Sequence, residues 1–216
     1  MAVTNKPRIE AYIGASGSGK GVSINRRLDD LKPARLIIWD PRNEYGTRAP
    51  AVTNMAEAVS VIRGARGGPF RVRYVPGPSM PLERAFDVMC KAAFAAGNLV
   101  FLAEELSDVT TAARAPASWR QVITQGRHQG LHVIGAAQRP ALIDKTFLGN
   151  CTYIRCFTLR YREDRRAMAA ALDVDEDQVT ALKTSETPWG VLINYIERDF
   201  REDRLNVDCI KLKAKR

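Results

Sequence analysis

The stretch Ile13-Gly14-Ala15-Ser16-Gly17-Ser18-Gly19-Lys20-Gly21 constrains this chain more than any other. An apolar run, Ile9 to Ile13, precedes it and reads as a buried strand. An amphipathic segment, Val22 to Leu31, follows and reads as a helix. Strand, glycine-rich loop, lysine and helix in that order are the context of a phosphate-binding P-loop. Glycines let successive backbone N–H groups turn inward as a nest for phosphate oxygens. A helix beginning at Lys20 adds the positive end of its dipole at the same place, and Lys20 supplies a full charge at the β- and γ-phosphates. Gly14, Ala15, Ser16, Gly17, Ser18, Gly19, Lys20, Gly21 and Val22 are therefore the expected nucleotide contacts, with ATP as the cofactor. The alternative is a glycine-rich turn with a solvated lysine.

One position departs from the usual pattern. Gly21 stands where a Ser or Thr commonly ligates Mg²⁺, and Ser23 lies about 200° further around a helix, so it is a poor substitute. Metal binding then rests on water, phosphate and a distant carboxylate. Adenylate kinases are similar here, with Gly-Lys-Gly in the same loop, so Gly21 does not by itself imply an inactive site.

The rest of the chain reads as an α/β alternation. Its 216 residues suit one α/β domain, with a core over 1–196 and a C-terminal strand and basic tail over 197–216 belonging to it. Arg35 to Asp40 is a second apolar strand, ending in Asp40-Pro41-Arg42-Asn43-Glu44-Tyr45. Carboxyl ends of parallel strands face the ligand crevice, so Asp40 and Glu44 are candidates for the nucleotide or metal–water shell, or else form a simple Asp-Pro turn. Asn54 caps a helix to Arg63. Phe70 to Val75 alternates as a strand with one polar face, and Leu82 to Ala96 is a long helix ending at Gly97.

Asn98 to Ala103 is an apolar strand that ends in Glu104-Glu105. That is a Walker B pattern with Glu in place of the usual Asp. The first acid would serve the Mg²⁺ water shell and the second would orient or deprotonate the attacking water. Two acids after a strand are also common as a solvated turn. Ser107 to Ala117 reads as a loop and Trp119 to Gln125 as a helix. The strand Leu131–Ala137 ends at Gln138, a polar sensor or a strand-end cap. Leu142–Leu148 and Asp175–Leu182 read as short helices, Cys151–Leu159 as a strand, and Arg160 opens a helix to Leu172. Trp189–Tyr195 and Leu205–Leu212 read as strands that form a hairpin closing one sheet edge.

Charge and composition narrow the partners. The 33 basic residues, most of them arginine, outnumber 24 acids for a net charge of +9. Arginine's planar fork suits phosphate, so a nucleic-acid partner fits, although an Arg-favouring genome would give the same count. Cys90, Cys151, Cys156 and Cys209 lack metal-ligand spacing, and with two histidines a zinc site is not expected. Reduced buried thiols, no signal peptide and no apolar run of about 18 residues give the expectation of a cytoplasmic protein without a membrane segment.

Four motifs now stand in order: Gly14–Gly21, Asp40 to Tyr45, Glu104-Glu105, and Gly126-Arg127-His128-Gln129-Gly130-Leu131-His132-Val133-Ile134-Gly135-Ala136-Ala137-Gln138-Arg139-Pro140. Together they resemble the FtsK/HerA superfamily of DNA-translocating ATPases. The Asp-Pro-x-x-Glu-Tyr turn looks like HerA, and the Gly-Leu-His strand ending in Gln-Arg-Pro looks like FtsK. The cluster Glu163-Asp164-Arg165 is similar to the Asp-Ser-Arg of FtsK motors.

The resemblance implies a RecA-like P-loop fold. Its central sheet is mostly parallel, with helices on both faces and the sensor strand between the P-loop and Walker B strands. It also implies homo-oligomeric rings, usually hexamers, around double-stranded DNA. Carried across, Lys20 grips phosphate, Glu104 serves the metal, Glu105 is the base and Gln138 the sensor. The arginine given to a neighbouring subunit falls on Arg127, with Arg165 second.

A chain this short resembles viral genome-packaging ATPases, including those of membrane-containing phages, and implies capsid or portal partners at a virion vertex. The core is also similar to Zot-like phage assembly proteins. Arg114, Arg120 and Trp119 are the expected DNA-contacting loop residues. Three rivals stay open: a phage extrusion or conjugation motor, a nucleotide-binding scaffold that does not hydrolyse, and an adenylate kinase-like enzyme. The last would need an Asp-Gly-Phe-Pro-Arg type segment, which the sequence lacks.

Overall fold

The computed structural model describes residues 6–213. In chain order the elements are β1 (Arg8–Ile13), α1 (Lys20–Leu31), β2 (Arg35–Trp39), β3 (Ala51–Val52), α2 (Met55–Gly64), β4 (Phe70–Tyr74), α3 (Leu82–Ala96), β5 (Val100–Ala103), α4 (Ala117–Gln125), β6 (His132–Ala137), α5 (Lys145–Asn150), β7 (Tyr153–Cys156), α6 (Arg162–Leu172), α7 (Glu176–Thr180), β8 (Thr184–Thr187), β9 (Gly190–Asp199) and β10 (Arg204–Lys213). Capping sets several boundaries. Asn54 accepts from the backbone N–H groups of Ala56 and Glu57 at the start of α2, and Asp175 and Gln178 form a capping box on α7.

All the strands join one sheet in the order β10-β9-β7-β1-β6-β5-β2-β4-β3, with β8 paired to the outer half of β9. The strands from β7 to β3 run parallel, and β9 turns antiparallel to β7. β6, the strand that leads to Gln138, lies between β1 and β5, as the resemblance implies. Every residue of β6 is buried, which is why this segment reads as a continuous apolar run rather than an alternation. Registry aligns the carboxyl ends of the three: Ile13 faces Ala137, and Ala103 faces Gly135. Gly135 is required by packing, since a Cβ there would lie 2.3 Å from the Phe147 ring.

Helices cover both faces, but unequally. One face of the sheet packs against α2 to α7, around Trp39, Phe86, Phe101, Trp119 and Phe147. The other is covered mainly by α1, through Ile24 and Leu28, and by Tyr45 and Ala49. Trp119 sits between Phe86 at 5.3 Å and Phe147 at 5.6 Å between ring centroids and is fully buried. It is therefore a core residue of α4 and not a DNA contact. Its neighbours Arg114 and Arg120 are exposed.

The apolar run of β1 hides a charge. Glu10 is buried and takes hydrogen bonds from the Tyr12 hydroxyl at 3.0 Å and from Arg27, with His132 Nε2 at 2.7 Å. Burial alone would raise its pKa; the bonds to His132 and Arg27 outweigh that and hold it at about 2.

The C-terminal hairpin forms as expected, with Ile210 opposite Ile193, but it extends past both expected limits. Residues 196 and 197 are consecutive within β9. Lys211 to Lys213 of the expected tail lie in β10, and 214–216 fall outside the described residues. The two-residue β3 was not legible because it is so short, and the edge strand β8 because it is short and polar.

Replacing Trp119 with Ala should destabilise the fold by about 3–5 kcal/mol, read as a lower midpoint in chemical denaturation. A loss under about 1 kcal/mol would contradict its place at the centre of the core.

Candidate active site

The P-loop hangs between two strand ends. Gly14 N donates to Ala137 O at 3.1 Å, and Ala15 N donates to Thr158 O at 2.9 Å. Gly17 and Gly19 take left-handed backbone angles, φ +74° and +100°, which glycine adopts without steric penalty. Gly14 is close-packed: a Cβ there would lie 2.5 Å from Ser18 Oγ and 2.7 Å from Phe157 Cβ. Ser18 Oγ is buried without a hydrogen-bond partner, so the loop holds a polar atom whose partner is not protein. A nest of backbone amides, an unpartnered hydroxyl and a lysine together fit a polyphosphate.

Lys20 is buried and donates to Gly14 O at 2.8 Å and Ala15 O at 3.3 Å. Burial lowers its pKa, and the charges of Glu104, Glu105 and Glu44 oppose that shift. Glu104 and Glu105, just beyond β5, are themselves buried. Burial pushes Glu104 up to about 7, against the lowering effects of Lys20 and of a 2.9 Å hydrogen bond from the Tyr45 hydroxyl; Glu44 and Glu105 push it further up. At neutral pH its carboxyl is therefore poised to gain or lose a proton.

Glu105 adopts φ +50°, a left-handed conformation uncommon for a non-glycine residue and characteristic of functional sites. Both its oxygens are engaged: Ser107 Oγ donates at 2.5 Å and Gln138 Nε2 at 2.6 Å. The expected base and the expected sensor thus converge on one point at the carboxyl edge of the sheet, and Lys20 and Glu104 act on each other electrostatically at the same edge.

Other expected contacts land elsewhere. Asp40 is fully buried, with its oxygens committed to the backbone N–H groups of Glu44 and Tyr45, at 2.9 and 3.0 Å, and to Arg73 at 2.9 Å. Those bonds build the turn that presents Tyr45 to Glu104. Glu44, on that turn, is exposed and still acts on Lys20 and Glu104. Ser23 Oγ accepts from Arg155, so it faces β7 rather than the P-loop. Val22 packs its side chain against the core of the α1 face. Arg127 is exposed on the turn after α4. Arg165 is half-buried and donates to Arg160 O at 2.9 Å.

Several site-building residues were invisible in sequence because their partners are distant. Arg73 belongs to what reads as the polar face of β4, yet it is buried against Asp40. Arg139 of the Gln-Arg-Pro motif pairs with the buried Asp164 at 2.6 Å and stacks over Tyr161 at 4.0 Å. Two of the motifs behind the resemblance therefore touch. The strand expected over Cys151–Leu159 is β7, Tyr153–Cys156, and Thr158 beyond its end receives the P-loop.

No protein-family model matches the sequence. Protein P9 of Pseudoalteromonas phage PM2 is 30% identical over 198 residues, covering 85% of this chain and 88% of P9. The genome packaging NTPase B204 from Sulfolobus turreted icosahedral virus 2, solved in complex with ATP-γS, superposes with a TM-score of 0.73 at 18% identity over 98% of this chain and all of B204. VirB4 of Thermoanaerobacter pseudethanolicus superposes with a TM-score of 0.63 at 11% identity over 98% of this chain and 91% of VirB4. At these identities the two structures speak to the fold.

Two outcomes follow from the loop and from Tyr45. Nothing lies within 4 Å of a Cβ built on Gly21, so Gly21→Ala should keep or raise thermal stability, by about 0.5–1 kcal/mol, whereas Gly14→Ala should lose nucleotide affinity through displacement of the loop. Equal behaviour of the two in a melting and nucleotide-binding comparison would count against this loop geometry. Tyr45→Phe removes a bond that lowers the Glu104 pKa. The acid limb of the pH–turnover profile should therefore move to higher pH by about one unit, and an unmoved or acid-shifted limb would refute the contact's role.

Proposed function

The chain belongs to the FtsK/HerA superfamily of P-loop ATPases, and we propose on that premise that it is an ATP-hydrolysing ring motor that moves double-stranded DNA into a viral capsid. The observation that carries the reading is the gathering of Lys20, Glu104, Glu105 and Gln138 at one edge of the sheet. The genome-packaging role named for B204 supports the choice of cargo.

In this reading Lys20 releases the loop carbonyls to bind the β- and γ-phosphates. Glu105 and Gln138, already hydrogen-bonded, hold one water between them in line with the γ-phosphate, and Glu105 takes its proton. Mg²⁺ supplies charge neutralisation of the phosphates when bound. Ionised Glu104 would hold its water shell, with Tyr45 fixing the carboxylate. Among the described residues no three metal-ligating side chains gather. One carboxylate plus phosphate and water is a common way to hold Mg²⁺, and it needs no hydroxyl at Gly21.

Arg127 projects from the surface and would complete the site of a neighbouring subunit, a contribution worth about 10³–10⁵ in rate in other NTPases; Arg165 is the second choice. Homo-oligomeric rings, usually hexameric in this superfamily, would enclose the duplex. Exposed Arg114 and Arg120 would then contact phosphates without reading bases. Capsid or portal proteins would be the partners, with the ring working in the host cytoplasm at a virion vertex. No helix among the described residues is long and apolar enough to cross a membrane.

The test is phosphate release with and without duplex DNA, alongside native mass. ATP turnover should rise with DNA, and Lys20→Ala and Glu105→Gln should each lower it by about 10²-fold or more. Mixing Arg127→Ala with Lys20→Ala subunits should recover part of the activity. Turnover that survives both site variants, or phosphoryl transfer to AMP without DNA stimulation, would overturn the reading.

A further inference from the structure

We propose that a groove between α2 and α3, at the end of the molecule opposite Lys20, docks an acidic amphipathic helix of a partner protein. The groove encloses about 510 Å³, and a second hollow of about 750 Å³ adjoins it across Val59, Arg63 and Arg66. Its wall includes Arg35, the first residue of β2, and Gly67 and Ala96, which precede β4 and β5. It therefore opens at the amino ends of strands whose carboxyl ends point to the nucleotide edge. The proposal is independent of ATP hydrolysis.

Three properties fix the occupant. The first is an apolar floor: Val59, Ile62, Val88 and Ala92 line the groove, and Met55 and Met80 line the adjoining hollow. The four residues of the groove come from α2 and α3, and an apolar groove between two helices accepts the apolar stripe of a third. Methionine side chains adapt to varied partner shapes.

The second is charge. Arg35, Arg63, Arg66 and Lys91 surround the groove, and neither lining contains an acid. Arg35 is committed, donating to Gly68 O at 2.7 Å and Ala96 O at 2.9 Å, and Lys91 pairs with Asp87 at 2.7 Å. Arg63 and Arg66 are exposed at the rim and supply the complement for a partner's carboxylates.

The third is their combination. A lipid headgroup or a phosphate backbone would answer Arg63 and Arg66 but leave the apolar lining of Val59, Val88 and Ala92 without a partner. A helix with apolar residues at i, i+3 or i+4 and i+7 and acids on its flanks satisfies floor and rim together.

The test is selection from a displayed library of helical peptides on the full-length protein, followed by binding of labelled synthetic winners. Binding is compared between wild type, the pair Arg63→Glu with Arg66→Glu, and Ala95→Trp, which narrows the groove from an exposed position. Enriched peptides should be acidic and amphipathic, and both variants should weaken them at least tenfold while melting temperature stays at the wild-type value. Winners without that pattern, or winners whose affinity ignores the variants, would overturn the proposal. So would variants that lose binding to anionic vesicles or duplex DNA instead, or that change native mass, which would make the groove a lipid site, a nucleic-acid site or a seam between copies.

Discussion

Placing two carboxylates and one ammonium together out of water is the constraint this structure is organised around. Each ion loses hydration, and mutual attraction offsets the loss only when position is well fixed. Here Lys20 is tied to the loop carbonyls, Glu104 to Tyr45, and Glu105 to Ser107 and Gln138. Each tie comes from a different strand end, so the site exists only while β1, β2, β5 and β6 keep their register. The residual strain appears as the elevated pKa of Glu104 and the left-handed backbone of Glu105. Both are the kind of imbalance that binding of a cation or polyanion can relieve.

A second layer of charge supports the first. Arg73 holds Asp40, Asp40 holds the backbone of Tyr45, and the Tyr45 hydroxyl meets Glu104. On the other side of the P-loop, Arg139 follows Gln138 and is locked by Asp164 of α6. Glu10, with Arg27 and His132, anchors the same central strand at its far end. Polar pairs buried among apolar strands in this way fix position more than they add stability.

The sequence showed what is local. The P-loop, the apolar strands, the long helix ending at Gly97 and the terminal hairpin all follow from short-range periodicity, glycine placement and caps. So did the convergence of Lys20, Glu104, Glu105 and Gln138, once the order of the parallel strands was supplied by resemblance. What stayed hidden is pairing over long separations. Asp40 could not be assigned to a structural role without Arg73, 33 residues away. Trp119, flanked by Ser118 and Arg120, looked like a surface aromatic until the helix phase put it against Phe86 and Phe147. The unequal covering of the two sheet faces also needs three dimensions.

The most direct measurement is a crystal structure with a non-hydrolysable ATP analogue and Mg²⁺. The account predicts the γ-phosphate against Lys20 Nζ, the metal water shell against Glu104, and an ordered water shared by Glu105 and Gln138. A nucleotide bound with its phosphates away from Lys20, or with Glu104 and Glu105 both out of reach of metal and water, would contradict it.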